Sequence, residues 1–274
     1  MFRTSFATVA IAAFGTLGAT AASAQAAAGS LIPHRAVYDL QLKDASERSG
    51  ISGMYGRMVY EFLGSECAGY TTNFRFVTSI DTGEDTRLTD QQTTTFEDLK
   101  GGKFRFETKT FTDEQLDKQV SGAAEDEEDK LKVELNQPDK REVELADGRF
   151  PTAHMLDVIE NARKGPTFFE ARVFDGSDNG DKTLLTTTVV GKQDTPKADD
   201  ADAAKAGEFA KSPFWPVTIA YFNDTSTGDS LPIYRMSFKL YENGITRDLT
   251  MDYGDFVLTG RLSKLELLGP GECH

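Results

Sequence analysis

The chain has 274 residues, with 44 acidic against 30 basic side chains and a formal net charge of −14. That balance, with no basic cluster to offset it, makes nucleic acid and anionic lipid headgroups poor partners. Two cysteines and three histidines (His34, His154 and His274) without CxxC or HxxxH spacing argue against a zinc site.

The first 24 residues have the pattern of a signal peptide. Arg3 supplies the positive n-region, Val9 to Leu17 a short apolar core, and Ala22-Ser23-Ala24 the small-x-small site for cleavage before Gln25. The apolar core is too short to span a bilayer comfortably. Export to the periplasm is expected, leaving residues 25–274 as a single domain.

Alternation begins with "HRAVYDLQL", which places Ala36, Tyr38, Leu40 and Leu42 on one face and Arg35, Asp39 and Gln41 on the other. "GISGMYG" spaces Gly50, Gly53 and Gly56 regularly but precedes a strand, so it reads as a turn or bulge rather than a phosphate loop. Met58, Tyr60 and Phe62 follow on one face, and then Tyr70, Phe74, Phe76 and Ile80. Period two in aromatic and β-branched residues is the mark of half-buried antiparallel strands. "LKGGKF" turns the chain before Phe104 and Phe106, and "NQPDK" turns it between Leu131-Val133-Leu135 and Val143-Leu145. The acidic stretch 113–130, "DEQLDKQVSGAAEDEEDK", reads as a loop.

One segment has helical spacing. "FPTAHMLDVIENARKG" aligns Leu156, Ile159 and Ala162, with Pro151 at its start and Gly165 as its stop, predicting a helix over 152–164. "KQDTPKADDADAAKAGEFAKS" reads as a mobile insertion near 194–211 or a short exposed helix. "KSPFWPVTIAYF", with the sole Trp215, is either the lining of an apolar pocket or a core strand entered through a kinked loop. Asn243-Gly244 predicts a type I′ hairpin. The expected fold class is therefore all-β with one inserted helix, a long antiparallel meander.

Motifs for chemistry are weak. Asp175, Ser177, Asn179 and Gly180 match the first half of a calcium loop, but the twelfth position is Thr186 rather than a bidentate Glu. A polar hairpin turn accounts for the same residues. There is no GxSxG, SxxK or HExxH, and no cofactor motif. His154 at the helix start reads as a capping or packing residue. No catalytic residues are assigned, and the protein is expected not to be an enzyme; the alternative is an envelope glycan hydrolase using an Asp/Glu pair. Cys67 and Cys273 have two fates in an oxidising compartment, a mutual disulfide or separate burial, and the compartment favours the first.

Taken in order, "HRAVYDLQL", "SGISGMYGRMVYEFLGSECAGYTTNFRFVT", "FPTAHMLDVIENARKG", "VFDGSDNGDK" and "GPGEC" resemble the EipB family of periplasmic cell-envelope integrity proteins. The resemblance implies a β-spiral, a sheet curled on itself like an open barrel with the helix plugging or lining it. It also implies a disulfide between Cys67 and Cys273 and a non-enzymatic role in envelope integrity under stress. The partner it implies is a periplasmic or outer-membrane protein, such as a TPR-repeat protein, or a lipid or lipoprotein held in the concave sheet. This last expectation rests on fold-level analogy to periplasmic carriers.

Overall fold

The computed structural model describes residues 31–223 and 230–269 together with Gly271 and Cys273; the signal peptide expected over residues 1–24 lies outside them. Eight strands come first: β1 (His34–Ala45), β2 (Gly53–Ser65), β3 (Gly69–Asp81), β4 (Thr86–Asp98), β5 (Lys103–Thr112), β6 (Gln115–Glu127), β7 (Lys130–Gln137) and β8 (Arg141–Ala146). Helix α1 (Pro151–Lys164) follows, then β9 (Thr167–Val173) and β10 (Leu184–Val190). A short helix α2 (Ala201–Lys205) precedes β11 (Trp215–Asn223), β12 (Tyr234–Leu240), β13 (Thr246–Asp252) and β14 (Phe256–Leu267).

All fourteen strands join one antiparallel sheet in the order β8-β7-β6-β5-β4-β3-β2-β1-β14-β13-β12-β11-β10-β9. The first and last strands are thus central neighbours, and the two edges, β8 and β9, are consecutive in sequence apart from α1. The edges do not pair as a ladder. They meet at a single parallel bridge, Arg149 with Val173, where the Arg149 N–H donates to the Arg172 carbonyl (2.8 Å) and the Phe174 N–H to the Arg149 carbonyl (2.9 Å). The result is the antiparallel meander that the alternation predicts, curled but short of a closed barrel as the resemblance implies.

Register keeps the apolar faces together. Tyr38 pairs with Met58 and Ala36 with Tyr60, and across the next seam Met58 pairs with Phe76 and Tyr60 with Phe74. A one-residue slip would turn all of these outward, so burial specifies the pairing. The inner face of β1, β2 and β11 to β14 packs with Val158, Ile159 and Ala162 of α1 into the main core. A second core gathers Phe104, Phe106, Leu131, Val133 and Leu135 around Phe150 and Phe174, with the Phe104 and Phe150 rings stacked at 5.1 Å.

Helix α1 starts without help from its own side chains. Its N-cap, Phe150, has no capping oxygen, and Pro151 stands at the first position. The orphan N–H groups of Thr152 and Ala153 donate instead to the Glu97 carboxylate at the end of β4, at 2.7 and 2.9 Å. The helix is therefore anchored to the sheet at its positive end.

Two stretches differ from the sequence reading. Residues 113–130, expected as an acidic loop, contain strand β6, whose inner face carries Val120, Gly122 and Ala124. Gly122 sits opposite Phe106 and Ala124 opposite Phe104, so small residues fit beneath large rings and leave no apolar signal of their own. The stretch near 194–211 includes the short helix α2, one of the two readings, but one face of it is packed: Asp202, Ala203 and Ala206 are buried while Ala201, Ala204 and Lys205 are exposed. The β13–β14 ladder runs from Leu249↔Gly260 to Asp252↔Val257. Beyond it, the Asp202 carboxylate accepts the N–H groups of Asp248 (2.9 Å) and Leu262 (3.0 Å), standing in for a strand partner. Asp200 caps α2 through the Ala203 N–H (3.0 Å) and grips the Arg247 guanidinium with both oxygens (2.9 and 2.8 Å).

At Asn243-Gly244 the chain reverses as expected but with a different turn. The Gly244 N–H donates to the Tyr241 carbonyl at 3.0 Å, and Gly244 alone of the pair has positive φ (86°), whereas a type I′ turn needs both. Cys67 and Cys273 form a disulfide with Cα atoms 5.5 Å apart, bridging 206 positions of sequence.

A cavity inside the curled sheet as the candidate functional site

Because inner-face residues come from ten of the fourteen strands, the curl holds a cavity of about 580 Å³. One wall is apolar. It comprises Met58 and Phe62 from β2, Phe74 from β3, and Ile219, Met236 and Phe238 from β11 and β12. The other wall is polar and mainly hydroxylic, since the inner positions of β4 and β5 change to Gln91, Thr93, Thr95, Thr108 and Thr110, with Lys118 of β6 beside them. Thr93 and Thr108 are direct cross-strand partners, and their hydroxyls bond each other at 3.0 Å. Thr93 and Thr95, like Thr108 and Thr110, lie two residues apart in sequence, a period-two pattern that points all four to one side of the sheet. Trp215 belongs to the main core, and the same strand lines the cavity with Ile219 and Tyr221 instead.

Polar groups that line the cavity are mostly satisfied by the protein. The Tyr38 hydroxyl donates to the Thr246 carbonyl at 2.7 Å, and Tyr60 bonds Thr72. Burial pushes the Tyr60 phenol up to about 12 and raises that of Tyr38 as well, so both stay protonated. His34 holds its Nδ1 against the Ile32 carbonyl at 2.7 Å, and burial lowers its pKa against that bond. His154, on the first turn of α1, is 5% exposed, and its Nε2 is buried without a partner among the described residues. Burial lowers its pKa; Asp157 opposes the shift and Arg149 adds to it. The sequence suggested only capping or packing for His154, because the cavity beside it is made by strands distant in sequence.

The loop between β9 and β10 contributes Asp175 and Asp178 to the lining. Asp175 accepts the Ser177 N–H at 2.8 Å, and Asp178 pairs with Lys182 at 2.6 Å. Gly176 takes φ 71°, and a Cβ there would lie 2.5 Å from the Phe106 ring, so only glycine lets this loop settle on the second core. Thr186, at the twelfth position of the calcium-loop match, is buried within β10 and donates to the Ala171 carbonyl at 3.0 Å. Among the described residues no group of three metal-ligating side chains converges.

The chain is similar to known proteins over most of its length. It is 52% identical over 256 residues to the "Cell envelope integrity protein EipB" of Brucella abortus (strain 2308), covering 93% of this chain and 91% of that one. A crystal structure described as a "beta-barrel-like protein of domain of unknown function DUF1849", also from Brucella abortus, superposes with a TM-score of 0.85. It shares 53% identity and covers 88% of this chain and all of that one. The EipB-like family profile matches residues 25–269. The chain therefore belongs to the EipB-like family.

Proposed function

We propose that this protein supports the integrity of the cell envelope from the periplasm, by holding an apolar or amphipathic envelope component inside the curled sheet. The observation that carries this reading is the 580 Å³ cavity with one apolar and one mainly hydroxylic wall, a size and character suited to a small ligand or a lipid tail. Support also comes from the 52% identical relative, which is named as a cell envelope integrity protein rather than an enzyme. Among the described residues no helix is long and apolar enough to cross a membrane.

The reading is non-enzymatic. A glycan hydrolase needs two carboxylates flanking its substrate. The carboxylates that line this cavity, Asp175 and Asp178, lie three residues apart in one loop and are held by Ser177 and Lys182. The experiment is native mass spectrometry of protein purified from envelope fractions, beside complementation of a deletion strain challenged with detergent. Wild type should carry a bound amphiphile. Met236→Trp, which fills the cavity, should lose both the ligand and complementation. A ligand-free wild type that crosslinks in cells to a periplasmic or outer-membrane protein, such as a TPR-repeat protein, would replace this reading with docking to that partner.

A further inference from the structure

Of the polar side chains that line the cavity, one keeps a fully buried atom without a partner among the described residues. Tyr38 is bonded to Thr246, Tyr60 to Thr72, Thr93 to Thr108, and the His34 Nδ1 to Ile32. Four fully buried side-chain nitrogen or oxygen atoms lack a partner among the described residues: Ser46 Oγ, Thr188 Oγ1, Arg247 Nη2 and His154 Nε2. Of these four residues only His154 lines the cavity. A buried polar atom without a partner costs stability, and such an atom in a binding cavity is explained if the ligand supplies what is missing.

We infer that His154 is the polar anchor of the cavity, and that its Nε2–H donates to the carbonyl oxygen of an acyl chain whose tail lies along Met58, Phe62, Phe74 and Phe238. This rests on the cavity reading given above and specifies its ligand chemistry. The backbone of His154 is fixed, since its N–H donates to the Phe150 carbonyl at 2.9 Å. The Nε2 is sealed from the cavity where the ring rests against Phe169, so the imidazole has to turn toward the cavity to reach a ligand. Burial favours the neutral ring, which has one N–H to give, so the anchor is a hydrogen-bond donor rather than a cation. A neutral donor suits a carbonyl, which both a free acid and an ester possess. Asp175 and Asp178 on the same lining oppose an anion, and Lys118, also on the lining, offsets part of that charge. The apolar wall supplies affinity, and the His154 donor sets which end of the chain lies against α1.

The test measures binding of a fluorescent long-chain polyene acid, its methyl ester and the matching hydrocarbon to the mature protein and two variants. Wild type should prefer the acid, the ester or both over the hydrocarbon by about tenfold, the equivalent of about 1.4 kcal/mol. Preference for the acid alone assigns the site to free fatty acid, and preference for the ester alone to an esterified acyl chain. His154→Leu should abolish the preference while leaving hydrocarbon affinity unchanged, and His154→Gln, whose carboxamide restores an N–H donor, should recover it. Because His154→Leu removes an unsatisfied buried group, its melting temperature should be no lower than that of wild type. Should it fail to fold, the wild-type preference and the His154→Gln result decide the matter. Equal binding of all three probes by wild type, or a preference that survives His154→Leu, overturns the anchor while the cavity reading stands. Failure of wild type to bind any probe removes the cavity reading itself.

Discussion

Replacing Asp200 with Asn should unfold the protein at a markedly lower temperature, because it strands a charge. Arg247 is fully buried, and its Nη1 bonds both Asp200 oxygens at 2.9 and 2.8 Å. Its Nε donates to the Tyr241 hydroxyl at 2.8 Å, and its guanidinium lies 4.7 Å from the centre of the Phe214 ring. The Asp200 side chain is only 10% exposed, so water cannot replace it. Removing one member of such a pair costs about 3–5 kcal/mol, or about 10–15 °C in Tm at this chain length. Removing both partners with Asp200→Asn and Arg247→Met should cost less than Asp200→Asn alone, because no buried charge remains.

The same pair predicts a pH dependence. Burial raises the Asp200 pKa, but the Ala203 N–H, Lys239 and Arg247 outweigh it and bring the group down from an ordinary 3.8 to about 2. A depressed acid contributes stability that is complete above its unfolded pKa and is lost as pH falls through the folded one. That shift corresponds to about 2 kcal/mol. Thermal melts at pH 6, 4, 3 and 2 should therefore show the gap between wild type and Asp200→Asn narrowing, on the order of 2 kcal/mol in all, mostly between pH 4 and 2. Other carboxylates titrate in both proteins and cancel in the difference. A Tm for Asp200→Asn within about 2 °C of wild type at pH 6, or a gap that stays constant down to pH 2, would refute the reasoning.

Other perturbations test separate parts of the fold. Cys67→Ser and Cys273→Ser should destabilise alike, with the double variant no worse than either; for a bridge over 206 positions the chain-entropy limit is about 5 kcal/mol. Both cysteines are exposed, so a reductant reaches the bond, and an unchanged melting curve after confirmed reduction would contradict this. Glu97→Leu should cost about 1–3 kcal/mol by leaving the Thr152 and Ala153 N–H groups without their acceptor, measured by urea denaturation. Burial raises the Glu97 pKa, so its ionisation opposes folding. Its contribution is full below the ordinary carboxylate range and is lost as pH rises through the folded value, and Glu97→Leu should lack that alkaline-side loss.

Strands and helix were legible where a face is large and apolar. Ala36, Tyr38 and Leu40, or Phe74 and Phe76, announce a buried face through period two alone. Strand β6 was not legible, because beside Val120 its inner residues are Gly122 and Ala124, whose role is to be small beneath Phe106 and Phe104. The 194–211 stretch misled for another reason. Its Asp200 and Asp202 look solvated in a run of Ala, Asp and Lys, yet their partners Lys239, Arg247, Asp248 and Leu262 lie 39 to 60 residues away. His154 was visible as a residue but not as part of a site, since the cavity wall opposite it comes from β2 to β5.

By itself the sequence determined the class of the fold and its local grammar: alternating strands, one amphipathic helix, turns at glycines, and a pair of thiols near opposite ends of the domain. These follow from short-range periodicity and backbone preference, which each segment carries with it. Tertiary structure decided everything that depends on distant segments meeting. It set β1 beside β14, brought the edges β8 and β9 to a single bridge, gave Glu97 to a helix 55 residues away, and buried the His154 Nε2 without a partner among the described residues. Side chains separated by half the chain become neighbours only when the sheet coils, and no local pattern encodes that coiling.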